Sequence, residues 1–177
     1  MTGQNPSIDD LIAQLQTEEG KARALATVVE KGIINTPNYV ERAIQACIGV
    51  DLPILAANIA LNIGNIERAI EVYEQKLPSK AAELAQKSGQ LMRASSIYEN
   101  AGFVHNAADI VFNLGLKEEA IEVCVKGKDF FYAAELARKI GDSERAQSFK
   151  ARGIEEQSDI AIKIGRASCR ERVYVLV

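Results

Sequence analysis

The chain has 177 residues, 47% apolar and 25% charged, which is enough apolar material for a folded core and sets it apart from a disordered polar tail. Its 21 basic residues are outnumbered by 24 acidic ones, and the net charge of −3 argues against a protein built to grip phosphate backbones. One histidine, three cysteines and no tryptophan leave little for metal ligation or acid–base chemistry, so no cofactor, no metal and no enzymatic activity are expected.

The opening residues, MTGQNPSIDD, lack the basic start and apolar stretch of a secretory signal, and residues 1–6 are expected to be disordered. No segment approaches 18 uninterrupted apolar residues, so no membrane span is expected. Cys47, Cys124 and Cys169 are far apart and odd in number, which fits reduced thiols, and a cytoplasmic location is expected. Ser7 ahead of Ile8-Asp9-Asp10 is the first helix start signal.

A repeat governs residues 7–164. Its first copy, near 24–50, carries Ala24 and Gly32, an insertion containing Asn35, Thr36 and Pro37, then Ala43 and Cys47. Four closely matched copies follow near 56–78, 81–102, 107–128 and 133–153, beginning AANIALNIG, AAELAQKSG, AADIVFNLG and AAELARKIG, and a partial copy covers 157–164. The glycines Gly64, Gly89, Gly115, Gly141 and Gly165 stand 25, 26, 26 and 24 residues apart. In each complete copy two alanines lie seven and eight residues before the glycine and one lies five after it: Ala69, Ala94, Ala120 and Ala146.

Each copy reads as two short helices. Apolar residues ahead of the glycine fill one helical face, and the glycine supplies the left-handed conformation that ends a helix. After it, the alanine and the larger residues three to four positions on define a second helix. Thr36 with Pro37, Ser79 after Pro78, Asp129 before Phe130 and Asp142 after Gly141 are the start signals between helices. Alanine columns let neighbouring helices approach to about 8–10 Å. Helices of roughly ten residues are marginal alone, so stability has to come from stacking. The expected fold is all-α: an α-α superhelix, or α-solenoid, of stacked antiparallel helical hairpins.

The segments GNIERAIEVYE at Gly64 and GQLMRASSIYE at Gly89 resemble the second helix of a tetratricopeptide repeat, with a glycine, an alanine five later and an aromatic nine later. The period here is about 25 residues instead of 34. The chain is more similar to the short-hairpin solenoids of coat and transport scaffolds within the broad tetratricopeptide-like group. That resemblance implies protein–protein scaffolding and brings no catalytic residues with it. The expected function is therefore an interaction scaffold that binds a protein or peptide on a curved helical-repeat surface. A segment of a larger solenoid protein, with its binding or active domain elsewhere, is the alternative, and a helical-repeat nucleic-acid binder is the less favoured one.

The tail Gly165 to Val177, GRASCRERVYVLV, departs from the repeat and resembles translated adapter or cloning read-through, which implies that the natural protein continues with further repeats. Without it, 18 basic residues face 23 acidic ones, a charge of −5. Nucleic acid is accordingly not expected as a partner.

Candidate partner-binding residues fall in two columns. Arg42, Arg68, Arg93 and Arg145 align just before the second-helix alanine, with Glu119 as the exception and acidic residues beside them. They form either a spine for acidic partner groups or a salt-bridged helix face. Leu61 and Phe112 occupy a first-helix position where Gln86 and Arg138 stand in other copies, and serve as partner anchors or tuck against an adjacent hairpin. Cys47 and Cys124 replace Tyr73 and Tyr98 at a packing position, His105 is expected to cap or face solvent, and Phe130, Phe131 and Tyr132 are expected to pack between hairpins.

Overall fold

The computed structural model describes residues 7–173, with side chains described through residue 163. The expected disorder of residues 1–6 lies outside that range. Among the described residues there are eleven α-helices and no strand. They are α1 (Ile8–Ala13), α2 (Glu18–Glu30), α3 (Pro37–Gly49), α4 (Pro53–Asn62), α5 (Ile66–Lys76), α6 (Pro78–Lys87), α7 (Leu91–Asn100), α8 (Val104–Asn113), α9 (Lys117–Lys126), α10 (Phe130–Lys139) and α11 (Ser143–Val173). No described helix is long and apolar enough to cross a membrane.

Capping explains the boundaries. Ser7 and Asp10 close a reciprocal capping box at α1, Thr17 accepts from the Gly20 amide, and Asn65, Asp129 and Asp142 accept from the amides of Arg68, Tyr132 and Arg145. At α6 the expected Ser79 cap is displaced. Pro78 itself opens the helix and Leu77 is the capping residue, because a proline's missing N–H and fixed φ suit the first helical position.

The repeat glycines end helices as the pattern requires. Gly64, Gly89, Gly115 and Gly141 have φ of 77°, 84°, 86° and 89°. Each lets the next amide reach back five residues: Asn65 to Ala60 at 2.9 Å, Gln90 to Ala85 at 2.8 Å and Asp142 to Ala137 at 2.9 Å. The same bond closes the junctions between hairpins at Leu52 to Cys47 and Asp129 to Cys124, where the left-handed residues are Asp51 and Lys128.

Gly165 behaves differently. One unbroken helix runs from Ser143 to Val173, so no turn separates the copy near 133–153 from the partial copy at 157–164. Asn65 and Asp142, after two of the helix-ending glycines, cap the next helix, Leu116 after Gly115 makes no side-chain cap, and Gly165 is followed by the strong helix formers Arg166 and Ala167. Of the foreign-looking tail, residues 165–173 are described as helical backbone and 174–177 lie outside the description.

The described residues group into two compact units that divide between Ile97 and Tyr98, within α7. In the first, α2 to α6 pack each against the next, and α1 packs on α2. Its core is a seam of alanines, Ala22, Ala43, Ala56, Ala57, Ala60, Ala69, Ala81, Ala82 and Ala85, all without exposed surface, with Ile44, Ile59, Ile70 and Val72 between them. In the second unit, α8, α9, α10 and α11 pack consecutively around Ala107, Ala108, Ala120, Ala133, Ile121 and Leu136. Side chains this small bring short helices close enough for ridges to settle into grooves. Cys47 and Cys124 are fully buried in these seams, and burial pushes their thiols up to about 11 and about 12, which makes them packing residues and poor nucleophiles.

Candidate interaction surfaces

The arginine column is engaged within the fold. Arg68 Nε and a terminal nitrogen grip both oxygens of Glu41 in the preceding second helix, the Nε contact at 3.1 Å, and another terminal nitrogen lies 2.9 Å from Glu71. Arg93 reaches Glu67 of the preceding second helix and meets Glu74 at 3.1 Å. Arg145 lies 2.7 Å from Glu118 and 2.6 Å from Asp142. Arg42, the first of the column, lies 2.9 Å from Asp9 in α1 and over the Tyr39 ring at 5.7 Å.

The sequence explains the register. Glu41, Glu67, Glu118 and Glu144 each stand directly before the arginine-column position, and Glu41, Glu67 and Glu118 meet the arginine of the next hairpin. The acid of the third rung is Glu118, with Glu119 in the column itself. Arg68 is the most enclosed of the four, with its side chain 21% exposed against 54% for Arg42. At Glu41, burial works to raise the carboxyl, but hydrogen bonds from Gln45 and Arg68 outweigh it and hold it below the usual carboxylate range.

Leu61 and Phe112 are half-buried, each three residues before its glycine. The more open apolar side chains flank the glycines themselves: Ile63 and Ile66 around Gly64 are 43% and 39% exposed, and Leu114 and Leu116 around Gly115 are 40% and 37% exposed. Sequence reasoning missed these tips. The available signal was comparative and partial: Leu116, one residue after its glycine, replaces Asn65, Gln90 and Asp142 of other copies, and Ile63 and Leu114, one before, stand where Ser88 and Ile140 do, whereas Ile66, two after, is matched by Leu91.

One cleft lies beside the Ile63 tip, and a second lies at the end of the α8–α9 hairpin away from Leu114 and Leu116. In the first unit one of about 740 Å³ lies between the start of α3 and the α4–α5 turn, with Val40, Ile44, Ile63 and Asn65 in its lining and Glu41 and Arg68 at its edge. In the second unit one of about 640 Å³ lies among the starts of α8 and α10 and the middle of α11. Its apolar lining includes Phe103 and Phe131, each 44% exposed, and Ile160, and its polar lining includes His105, Asp129, Lys128 and Glu156. Beneath it Gly127 and Gly153 admit neighbours: a Cβ on Gly127 would sit 2.2 Å from a Val104 methyl, and one on Gly153 would sit 3.0 Å from the Phe131 ring. Phe130 and Tyr132 are buried between helices, whereas Phe131 lies open in the cleft. His105 pairs with Asp129, the capping residue of α10, at 3.0 Å.

No protein-family model matches the chain, and no curated protein matches it.

Proposed function

We propose that the chain is a tetratricopeptide-like solenoid scaffold that binds a protein or peptide partner on its helical-repeat surface without catalysis. The observation that carries this reading is the exposure of paired large apolar side chains at the hairpin tips, Ile63 with Ile66 and Leu114 with Leu116, on frames whose interior is closed by alanine seams. Exposed aliphatic pairs on a rigid frame are what a partner buries as anchors, at little ordering cost to the scaffold. The arginine rungs hold consecutive second helices in register, and Leu61 and Phe112 stand half-buried within one helical turn of the tips. The cleft beside Ile63, lined also by Val40 and Ile44, gives room for a side chain of the partner.

The test is binding by surface variants. Ile63→Ser with Ile66→Ser, and separately Leu114→Ser with Leu116→Ser, are expected to weaken capture of a specific, saturable partner by tenfold or more while the thermal midpoint stays close to the parent's. Capture unchanged in both variants overturns the reading.

A further inference from the structure

The geometry points to a proton-operated latch at the α8–α10 junction, in which His105, when it binds a proton, tightens onto Asp129 and fixes the wall of the cleft beside it. His105 is the only histidine in the chain. Its Nδ1 lies 3.0 Å from Asp129 Oδ2, and its ring stacks on Tyr132 with centroids 3.4 Å apart and planes at 26°. The other Asp129 oxygen accepts the Tyr132 amide at 3.1 Å, and the Tyr132 hydroxyl donates to Asp109, one turn along α8 from His105. Two side chains of α8 therefore clasp one ring of α10, and Asp129 joins the clasp to the first turn of α10.

This arrangement belongs to one junction. The positions equivalent to His105 and Asp109 are Ile54 and Asn58 in one earlier copy and Ser79 and Glu83 in another. The junction also forms the cleft, since His105 and Asp129 line it together with Lys128 and Glu156, themselves paired at 3.0 Å.

Protonation strengthens both His105 contacts of the clasp. An imidazolium donates a charge-assisted hydrogen bond to a carboxylate, roughly twice as strong as the neutral bond, and its positive ring gains attraction from the Tyr132 face. The surrounding groups are Asp129, Tyr132, Glu135 and Lys139 from α10, Asp109 from α8, buried Cys124 from α9, and the Lys128–Glu156 pair bridging the α9–α10 turn and α11. Acids outnumber cations there, and the Asp129 carboxylate offsets the partial positive charge of the helix start.

Hydrogen exchange tests the latch through the amides of Tyr132 and Ala133, which bond to the Asp129 side chain and carbonyl. Protection factors are measured at about pH 5 and about pH 8. Because the His105 side chain is 56% exposed, protection is expected to be about two- to five-fold higher at pH 5, a surface-pair effect. His105→Gln is expected to abolish that difference. Asp129→Asn, which keeps a side-chain cap for the Tyr132 amide, is expected to abolish it too while leaving protection at pH 8 unchanged. No difference in the parent, or a difference that survives in either variant, overturns the proposal.

Discussion

The two units solve one packing problem with one device and then cross-link it differently. In both, alanines seven and eight residues before the turn glycine and five after it close the seam between short helices, and Ala57, Ala69, Ala108 and Ala120 have no exposed surface. In the first unit the polar cross-links run between second helices, through Arg68 to Glu41 and Arg93 to Glu67. The second unit has one arginine rung, Arg145 to Glu118, with a lysine link from Lys126 to Glu99, and adds a clasp between first helices, His105 with Asp129 and Tyr132 with Asp109. The seam is what the repeat conserves from copy to copy within this chain, and the polar links are where copies are free to differ.

If the seam carries the stability in both units, breaking it should cost the same in each. Ala57→Leu and Ala108→Leu stand at equivalent positions and push three extra carbons between helices whose approach is set by a methyl group. Overpacking of this kind costs about 1–3 kcal/mol or more in a well-packed site. Both variants are expected to lower the urea midpoint of their own unit by similar amounts, read by hydrogen exchange so that each unit reports separately. A large loss in one and none in the other would mean that the equivalence of the seams is false.

A smaller effect separates two glycines that occupy corresponding places in successive copies. Gly127 faces the β-branched Val104 at the start of α8, where χ1 has little freedom, and an added methyl would lie 2.2 Å from a Val104 carbon. Gly153 faces the rim of Phe131 at 3.0 Å, and that ring is 44% exposed and able to turn away. Gly127→Ala is therefore expected to destabilise by about 1–3 kcal/mol. Gly153→Ala is expected to cost about 1 kcal/mol at most, because a helical alanine recovers part of what the ring movement takes. Thermal unfolding of the two variants side by side checks the order, and the reverse order would overturn the assignment of Val104 as the rigid neighbour.

What could be read from the sequence follows the range of the forces involved. Turn glycines, the caps at Ser7, Asp129 and Asp142, the alanine columns and the burial of Cys47 and Cys124 all rest on spacing within one copy, and the structure has them in place. The unbroken α11 was not legible. A glycine is only permission to end a helix, and Gly165 is followed by the strong helix formers Arg166 and Ala167. Nor could the sequence choose between a free and a paired arginine column, since the choice depends on a 27-residue step from Arg68 to Glu41. His105 was read as a lone surface or capping residue because its partner Asp129 is 24 residues away, already serving as a cap.

The finest distinction concerns the rungs themselves. Arg68 is 21% exposed and holds Glu41 by two nitrogens, whereas Arg145 is 42% exposed and bonds Glu118 by one. Desolvation and a two-pronged grip make a rung count, and exposed pairs contribute a few tenths of a kcal/mol, roughly. Arg68→Ala is thus expected to cost more than Arg145→Ala. The pH dependence should follow the same order. The Glu41 carboxyl is held below its ordinary value, so its contribution is complete above the usual Glu range near 4.5 and is lost as pH falls through the lowered value. Urea midpoints at pH 7 and pH 3 are expected to differ less in Glu41→Gln than in the parent. An equal difference in both would assign the acid sensitivity elsewhere and leave Arg68 as a packing side chain whose charge is incidental.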